Sequence, residues 1–594
     1  RQHALVLLDY HKSPESGYAP PPPCVYPLED AVQRYQYDPK EYDPDAKQAV
    51  TPFMSPIIAG MCFAPDITKN NEQACINGRI NAIKAPADLK MTPFLQNVMA
   101  EFVEKFIPNP HMAIPVDEEY VFEKQDRPAQ RHILHAAEFM EPKRVINMFL
   151  KRECYPEPKD PRPISTINGC DKMAYSKYIY ALAEHVKAQP WYAFGKTPKQ
   201  VALRVTELCC GATSVAKTDF SRFDGRVSKL VRTLEQMILM RYFRTQYHDE
   251  ILELHRSQYQ LRAFSTFGIQ YDTGDARASG SPETAALNSL VNAFVAFLAH
   301  RMTNINGCFI GPDEAYEKLG VYGGDDGLTA DVDSEKYLRA ATMIGQKLEL
   351  EVVKRGELGV MFLARVYGPD VWFGDSSSCC DLPRQLAKFH VTVTLPSTIT
   401  PAMKLVEKAT AFFLTDANTP VLGQFCETVM RLSDGRPQTK FLNIWNSDVP
   451  QEEHYPNEPR EWYVDYAINA LPGFHWIRAR EWLNSVRTLE DMLSPPLCME
   501  PRAPPPQAVP VVVNRQIIRA KPTPDRTNVP VPITTKKTRR ITPRAVEPKT
   551  GRPGRRPATD SHHATTTTTV ARGNRPQKPQ QTDPQPAVVR GGRH

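Results

Sequence analysis

An α+β fold built around an antiparallel sheet is what the middle of this chain predicts, and three stretches in order predict it. Ala212–Phe220 reads as a strand, and the segment after it places Val227, Leu230, Val231, Leu234 and Ile238 at the i, i+3, i+4, i+7 spacing of an amphipathic helix. Ser281-Pro282-Glu283 offers a capping hydroxyl, a proline suited to a first turn and an acid beside the positive dipole end. A helix should start there and run through Asn288 to about Arg301. Leu319–Tyr322 and Leu328–Val332 flank Gly323-Gly324-Asp325-Asp326-Gly327, the pattern of a β-hairpin whose turn carries two carboxylates. A helix over Ser334–Leu348 and a strand over Val360–Tyr367 should follow, with helices over Ala87–Phe106 and Lys172–Ala188 upstream. Strand, helix, helix, hairpin, helix in that order suits an α+β layer with an antiparallel sheet.

Charge divides the chain. Residues 501–594 hold 19 Lys+Arg against 4 Asp+Glu, out of 73 and 67 in the whole, which leaves residues 1–500 at a net −9. The same stretch has 17 prolines and no Phe, Trp, Tyr or Cys, so it buries too little apolar surface to offset the entropy of folding and is expected to be disordered. Clusters such as Lys536-Lys537-Thr538-Arg539-Arg540 suit salt-sensitive RNA binding, and equally a solubilising or protein-docking tail. A folded body that handles RNA must then gather its positive charge locally. At 594 residues three or four domains are expected, on a prior of roughly 150 residues each. The longest apolar stretches, such as Leu290–Leu298, fall short of the roughly 18 residues a membrane span needs, and the start at Arg1 shows no leader pattern. The twelve cysteines are scattered without C-x-x-C and read as structural thiols. His132 and His135 read as a helical surface pair rather than a metal site.

The acids suggest chemistry. Phosphoryl transfer from a nucleoside triphosphate uses two magnesium ions about 3.5–4 Å apart, held by hard oxygen ligands. Asp219 at a strand end and Asp325-Asp326 at a hairpin could supply them if the strands are neighbours. Asp224, five residues beyond Asp219, could face a sugar instead. A Gly-Asp-Asp triplet alone is weak, since Asp-Gly is also a common turn. A calcium loop through Asp331 and Asp333 would lack the EF-hand spacing.

Three patterns agree in order over 108 residues: Asp219-Phe-Ser-Arg-Phe-Asp224, then Ser279-Gly280-Ser-Pro-Glu-Thr284-Ala-Ala-Leu-Asn288, then Gly323-Gly324-Asp325-Asp326. Together they resemble motifs A, B and C of the RNA-dependent RNA polymerases of positive-strand RNA viruses. The wording is most like the nodavirus-like enzymes, with the tombusvirus-like next. The resemblance implies a right-hand polymerase. Fingers would come from residues 1–210 plus an insertion near 245–278, palm from 211–375, thumb from 376–500, and a basic tail from 501. It implies that Asp219, Asp325 and Asp326 hold magnesium, with manganese as a substitute. Asp224, Thr284 and Asn288 would recognise the ribose 2′-hydroxyl, and Ser279 and Gly280 would form the loop before the motif B helix. Lys151, Arg152, Lys159 and Arg162 resemble motif F, which grips the triphosphate. Lys354 resembles the motif D lysine, a general acid toward pyrophosphate, with Lys347 and Arg355 as neighbours. Phe362–Arg365 resembles motif E at the nascent end, and residues 59–80 are a candidate template contact.

The expected function is template-directed RNA synthesis from NTPs, with template and nascent RNA as partners and other replication-complex proteins beside them. The setting would be the host cytoplasm, at membrane-associated replication complexes. The alternatives are a reverse transcriptase, against which the Asp224/Asn288 pair argues, and a non-catalytic RNA-binding or assembly protein acting through the tail.

Overall fold

The computed structural model describes residues 24–83, 89–125, 128–137, 140–433, 449–501, 503–507 and 509–518. In chain order the elements used below are β1 (Gln33–Tyr37), β2 (Phe63–Pro65), α1 (Lys69–Arg79), α2 (Pro93–Phe106), β3 (Ile146–Leu150), β4 (Pro163–Thr166) and α3 (Gly169–Lys187). The middle of the chain adds β5 (Ser214–Phe220), α4 (Lys229–Tyr242), α5 (His248–Arg256), β6 (Arg262–Ser265), β7 (Gln270–Asp272), α6 (Thr284–Arg301), β8 (Val321–Gly323), β9 (Asp326–Ala330), α7 (Ser334–Met343) and β10 (Leu348–Lys354). Then come β11 (Met361–Phe362), β12 (Arg365–Tyr367), β13 (Ser378–Cys380), α8 (Leu382–Leu386), α9 (Pro401–Asp416), α10 (Leu422–Leu432), α11 (Trp462–Ala470), α12 (Trp476–Ser485), β14 (Val511–Val513) and β15 (Gln516–Ile518).

The expected α+β class is the one observed. The central sheet runs β8-β9-β5-β10, every neighbour antiparallel. Helices cover both faces of it: α4 and α6 pack on the side of Phe220, Tyr322 and Leu348, and the helix Pro198–Cys210 packs on the side of Val215, Val321, Leu328 and Val353. Leu230, Val231, Leu234 and Ile238 of α4 are all buried, as their spacing predicts. Helix α6 is buried on all sides, and Phe102 of α2 sits between its Phe294 and Phe297 with ring centroids 5.4 Å away. Truncating such a buried phenylalanine to alanine costs about 3–5 kcal/mol. A second sheet, β4-β3-β6-β7, brings β6 and β7 beside strands from the first third of the chain. A third core gathers α9, α10, α11 and α12, and Phe53, Met54, Ile57 and Ile58 join it from the N-terminal part.

Four local expectations need correction. Helix α6 starts at Thr284, not at a Ser281 cap, because the Ser281 hydroxyl donates to Gln258 Oε1 (2.8 Å) and the Glu283 carboxylate bonds to arginines. The helix expected over Ser334–Leu348 stops at Met343, and Leu348 instead opens β10 opposite Phe220. Val360–Tyr367 is a hairpin rather than one strand, since Leu363 and Ala364 take φ of +47° and +59° between β11 and β12. The last correction concerns the tail. Val511–Val513 and Gln516–Ile518 form a hairpin turned by Asn514 and Arg515 (φ +46° and +66°), and β14 pairs with β1 in a β15-β14-β1-β2 sheet. Two left-handed residues in a two-residue turn give the twist a tight hairpin needs, so the local pattern outweighs the proline-rich composition around it. The remainder of the tail, from residue 519, lies outside the described residues, as do residues 87 and 88 of the first predicted helix.

Candidate active site

The ends of β5 and of the β8–β9 hairpin define the site. Register places Thr218 of β5 opposite Gly327 of β9, and Asp219 opposite Glu349 of β10. One step further along the β5–β9 ladder brings Asp219 beside Asp326, where directly opposed side chains come within about 5 Å at Cβ. Gly323 pairs with Asp326, so the turn consists of Gly324 and Asp325 alone, with Gly324 at φ +67°, a conformation that costs a glycine little. Asp325 is therefore the turn's tip, and Asp326 is the first residue of β9.

Helix α6 holds this turn from behind. Asn292 Nδ2 donates to the carbonyls of Gly324 (3.1 Å), Asp325 (3.3 Å) and Asp326 (3.0 Å), and the Gly324 amide donates to Ser289 Oγ (2.8 Å). Neither residue follows from the motif wording. Their signal was three polar residues, Asn288, Ser289 and Asn292, inside a helix otherwise apolar all round.

Asp219, Asp325 and Glu349 line a cavity of about 890 Å³, and Asp219, Asp326 and Glu349 line a second of about 420 Å³ on the side of the β11–β12 turn and Arg384. Asp219 thus stands between the two. Burial, then the charge of Asp325, pushes the Asp219 carboxyl up to about 6. Burial, then Asp325 and Asp219, pushes Asp326 up to about 7. These carboxylates repel one another at the mouth of the cavity, and among the described residues no arginine bonds to them. The donor set is hard oxygen, which fits divalent magnesium or manganese. Glu349 is a fourth carboxylate that the spacing did not reveal, because its place depends on strand register.

Around the larger cavity two of the residues expected to face a sugar, Asp224 and Asn288, meet. Asn288 Nδ2 donates to Asp224 Oδ1 (2.8 Å), and Arg277 Nε donates to Asn288 Oδ1 (2.6 Å), so the arginine fixes which end of the amide faces Asp224. The Arg277 amide also donates to the Asp224 carbonyl (2.9 Å). Burial, opposed by the Asn288 hydrogen bond, raises the Asp224 carboxyl. Behind them Arg232 and Arg277 bond to Glu235 and Glu283, all buried, while His255 contacts Glu235 (2.8 Å) and Tyr175 donates to Glu283 (2.8 Å). Potential ligand atoms of Glu235, His255 and Glu283 lie within 4.8 Å of one another, but two guanidiniums already balance the two acids. That cluster is a brace.

Thr284 lines the cavity, with its hydroxyl turned back onto the Ala278 and Ser281 carbonyls (both 3.0 Å). Ser279 also lines it, accepting from the Ser165 amide (2.9 Å). Gly280 lies in the loop before α6, as expected, but packs against a strand. Its amide donates to the Ser165 carbonyl, and a Cβ there would sit 2.6 Å from that oxygen, so the close approach it permits is to β4.

The opposite wall is basic. Lys151, Lys159 and Arg162 line the cavity as expected, joined by Arg79 and Arg222, which sequence reasoning missed. Asp160 pairs with Arg79 (3.3 Å) and Arg222 (2.9 Å), and Glu153 pairs with Lys151 (3.0 Å) and Arg162 (3.7 Å). Five cations against two acids leave a surplus facing the cavity. Burial, then Arg79 and Arg162, lowers the Lys159 amine.

Two expected residues stand elsewhere. Arg152 donates to the carbonyls of Ala49 (2.9 Å) and Val393 (2.6 Å) and does not line the cavity; its guanidinium ties loops together. Lys354 pairs with Ser214, five residues along β5 from Asp219, roughly 17 Å away at strand rise, so it is out of reach of the carboxylates. Arg355 is bound to the carbonyls of Cys209, Cys210, Ala212 and Trp372. Lys347 alone of the three lies at the Asp219 end, its carbonyl accepting from the Ser221 amide (2.9 Å).

Comparison with known proteins bears on this site. No family model matches the chain. The RNA-directed RNA polymerase of greasy grouper nervous necrosis virus is 31% identical over 443 residues, 71% of this chain and 43% of that protein. That of striped jack nervous necrosis virus is 33% identical over 445 residues, covering 73% and 44%. That of Pariacoto virus is 30% identical over 389 residues, covering 61% and 37%. The chain spans less than half the length of these curated relatives. Among solved structures, the polymerase of a human picobirnavirus, in an insertion-loop deletion form, superposes with a TM-score of 0.49 at 13% identity over 61% of this chain and 75% of that one. With identities of 30–33% over 61–73% of its length to these proteins, the chain is nodavirus-like, a relative of the RNA-directed RNA polymerases of that group.

Proposed function

We propose that the chain is an RNA-dependent RNA polymerase that joins ribonucleotides from NTPs to a nascent 3′-hydroxyl under direction of an RNA template. One observation carries the reading: Asp219 and Asp325, 106 positions apart in sequence, line the same cavity as the Asp224–Asn288 pair and a basic wall. Reverse transcription would not need that pair.

In this reading Asp219 and Asp325 hold magnesium, with manganese as a substitute, and Asp326 and Glu349 supply further negative charge beside them. The metal, when bound, activates the attacking hydroxyl and neutralises charge on the leaving pyrophosphate. Everything else falls to side chains. Lys151, Lys159 and Arg162, with Arg79 and Arg222, attract and orient a triphosphate of about four negative charges. Asp224 presents its free oxygen as acceptor to a 2′-hydroxyl, and Asn288 is held so that it cannot turn. A sugar lacking that hydroxyl leaves the second Asp224 oxygen without a donor, which is the physical basis of rejection. The smaller cavity beside the β11–β12 turn and Arg384 would take the nascent strand.

Residues 211–375 then correspond to a palm, residues before 211 with 245–278 to fingers, and 376–500 to a thumb. Among the described residues no helix is long and apolar enough to cross a membrane. Action in the host cytoplasm, at membrane-associated complexes with other replication proteins, belongs to the same proposal and rests on kinship. The test is magnesium-dependent incorporation of ribonucleotides, against deoxyribonucleotides, on an RNA template by wild type and Asp325→Asn. Synthesis by wild type alone supports the reading. Equal synthesis by the variant, or preference for deoxyribonucleotides, overturns it.

A further inference from the structure

The basic wall is not self-supporting. Its loop, residues 151–162, runs between β3 and β4, and its inner surface lies on the sheet that contains the last described residues of the chain. Tyr35 of β1 donates its hydroxyl to the Lys159 carbonyl (2.6 Å). Phe63 of β2 exchanges two backbone hydrogen bonds with Tyr155 (2.9 and 2.8 Å), and the Tyr155 hydroxyl accepts from the Arg162 amide (2.9 Å). The Lys159 ammonium stands over the Tyr155 ring, 5.1 Å from its centroid. The two phosphate-facing residues are thus placed by two tyrosines.

Those tyrosines depend on the C-terminal hairpin. Tyr35, Tyr37, Phe63, Tyr155, Val511 and Val513 form one buried cluster. Strand β14 pairs with β1 at Tyr35↔Val513, Gln36↔Val512 and Tyr37↔Val511. The Asn514 side chain locks the register: the Arg34 amide donates to its Oδ1 (3.0 Å), its Nδ2 donates to Gln33 Oε1 (2.7 Å), and its amide donates to the Arg34 carbonyl (2.9 Å). Without β14, strand β1 would lose its neighbour on that side and Tyr35 a packing partner.

We propose that the Val511–Ile518 hairpin is a positioning element of the nucleotide site, setting through Tyr35 and Tyr155 the loop that carries Lys159 and Arg162 toward a triphosphate. The ligand assignment rests on the polymerase reading above; the mechanical coupling does not.

The experiment uses the full chain with two substitutions and two readouts. In an antiparallel ladder bonded pairs alternate, so the Arg34–Asn514 bond makes Gln36↔Val512 a bonded pair, and Val512→Pro removes a donor into β1. Tyr35→Phe keeps the cluster filled and deletes only the bond to Lys159. Amide exchange over residues 151–162 should quicken about tenfold or more in Val512→Pro. In Tyr35→Phe the KM for NTP should rise about 2- to 10-fold, the loss of one net hydrogen bond, with kcat nearly unchanged. Wild-type exchange in that loop in both variants overturns the coupling. A fall in kcat at constant KM also overturns it, because that is damage to the fold and not to triphosphate placement. A wild type that makes no RNA ends the polymerase reading, while exchange still decides the coupling. Should Val512→Pro fail to fold, Tyr35→Phe decides by both readouts.

Discussion

Two clusters of charged side chains have opposite characters, one sealed in the core and one opening onto a cavity. In the first, Arg232, Glu235, Arg277 and Glu283 are paired with one another and with His255 and Tyr175. In the second, Asp219, Asp325 and Asp326 crowd together, and two of them are pushed up to about 6 and about 7 by burial and mutual repulsion. A balanced buried cluster is part of the scaffold, because removing any member strands a charge. An unbalanced one is costly to the fold on its own and makes sense as a place for cations. Composition cannot tell the two apart, since both contain acids of the same kind. The partners can.

The largest effect that would sharpen this contrast is on activity. Asp325→Asn should lower magnesium-dependent RNA synthesis by about 10²–10³-fold or more, the scale set by losing one electrostatic stabiliser. The same variant should melt no lower than wild type, since it relieves repulsion; a clear fall in Tm would mean that the carboxylates are structural. Glu283→Ala should do the reverse and destabilise the fold by about 3–5 kcal/mol in denaturant titration, leaving two buried guanidiniums short of a partner. Little change in stability would remove the distinction between the clusters.

A smaller effect is expected where they touch. Asn288→Ala should reduce discrimination between ribo- and deoxyribonucleotides by about tenfold, the worth of a hydrogen bond to a charged group, read as the ratio of the two kcat/KM values. Unchanged discrimination would detach the pair from the sugar. The smallest effect should come from Lys354→Ala, with single-nucleotide turnover within about 2-fold of wild type, as for a side chain remote from the site. A hundredfold loss would return the general-acid role to it.

What the sequence made legible was whatever local spacing decides. Asp219, Asp224, Asn288 and Asp325 stand at fixed offsets inside single motifs, and the strand, helix and hairpin that carry them follow from periodicity. What it hid depends on which strands become neighbours. Glu349 reaches the site only because β10 lies antiparallel to β5 with that register, and the same register removes Lys354. Glu283 looked like a dipole partner, yet its charge is spent on Arg277 and on Arg232 of α4. Arg152 shares the wording of a basic motif and faces away. The strands of Val511–Ile518 were masked by the prolines around them, although valines flanking a turn able to take positive φ were visible.

The pairing of Arg34 with Asn514 spans 480 positions. Domains fold as units during synthesis at roughly 5–20 residues per second, so about 25–100 s separate the appearance of one partner from that of the other at the ribosome. Through that interval the early strand waits with an open flank, and the loop of residues 151–162 lacks the packing that the hairpin gives it. On the polymerase reading proposed above, triphosphate placement would wait for the hairpin, a delay that comes from topology alone.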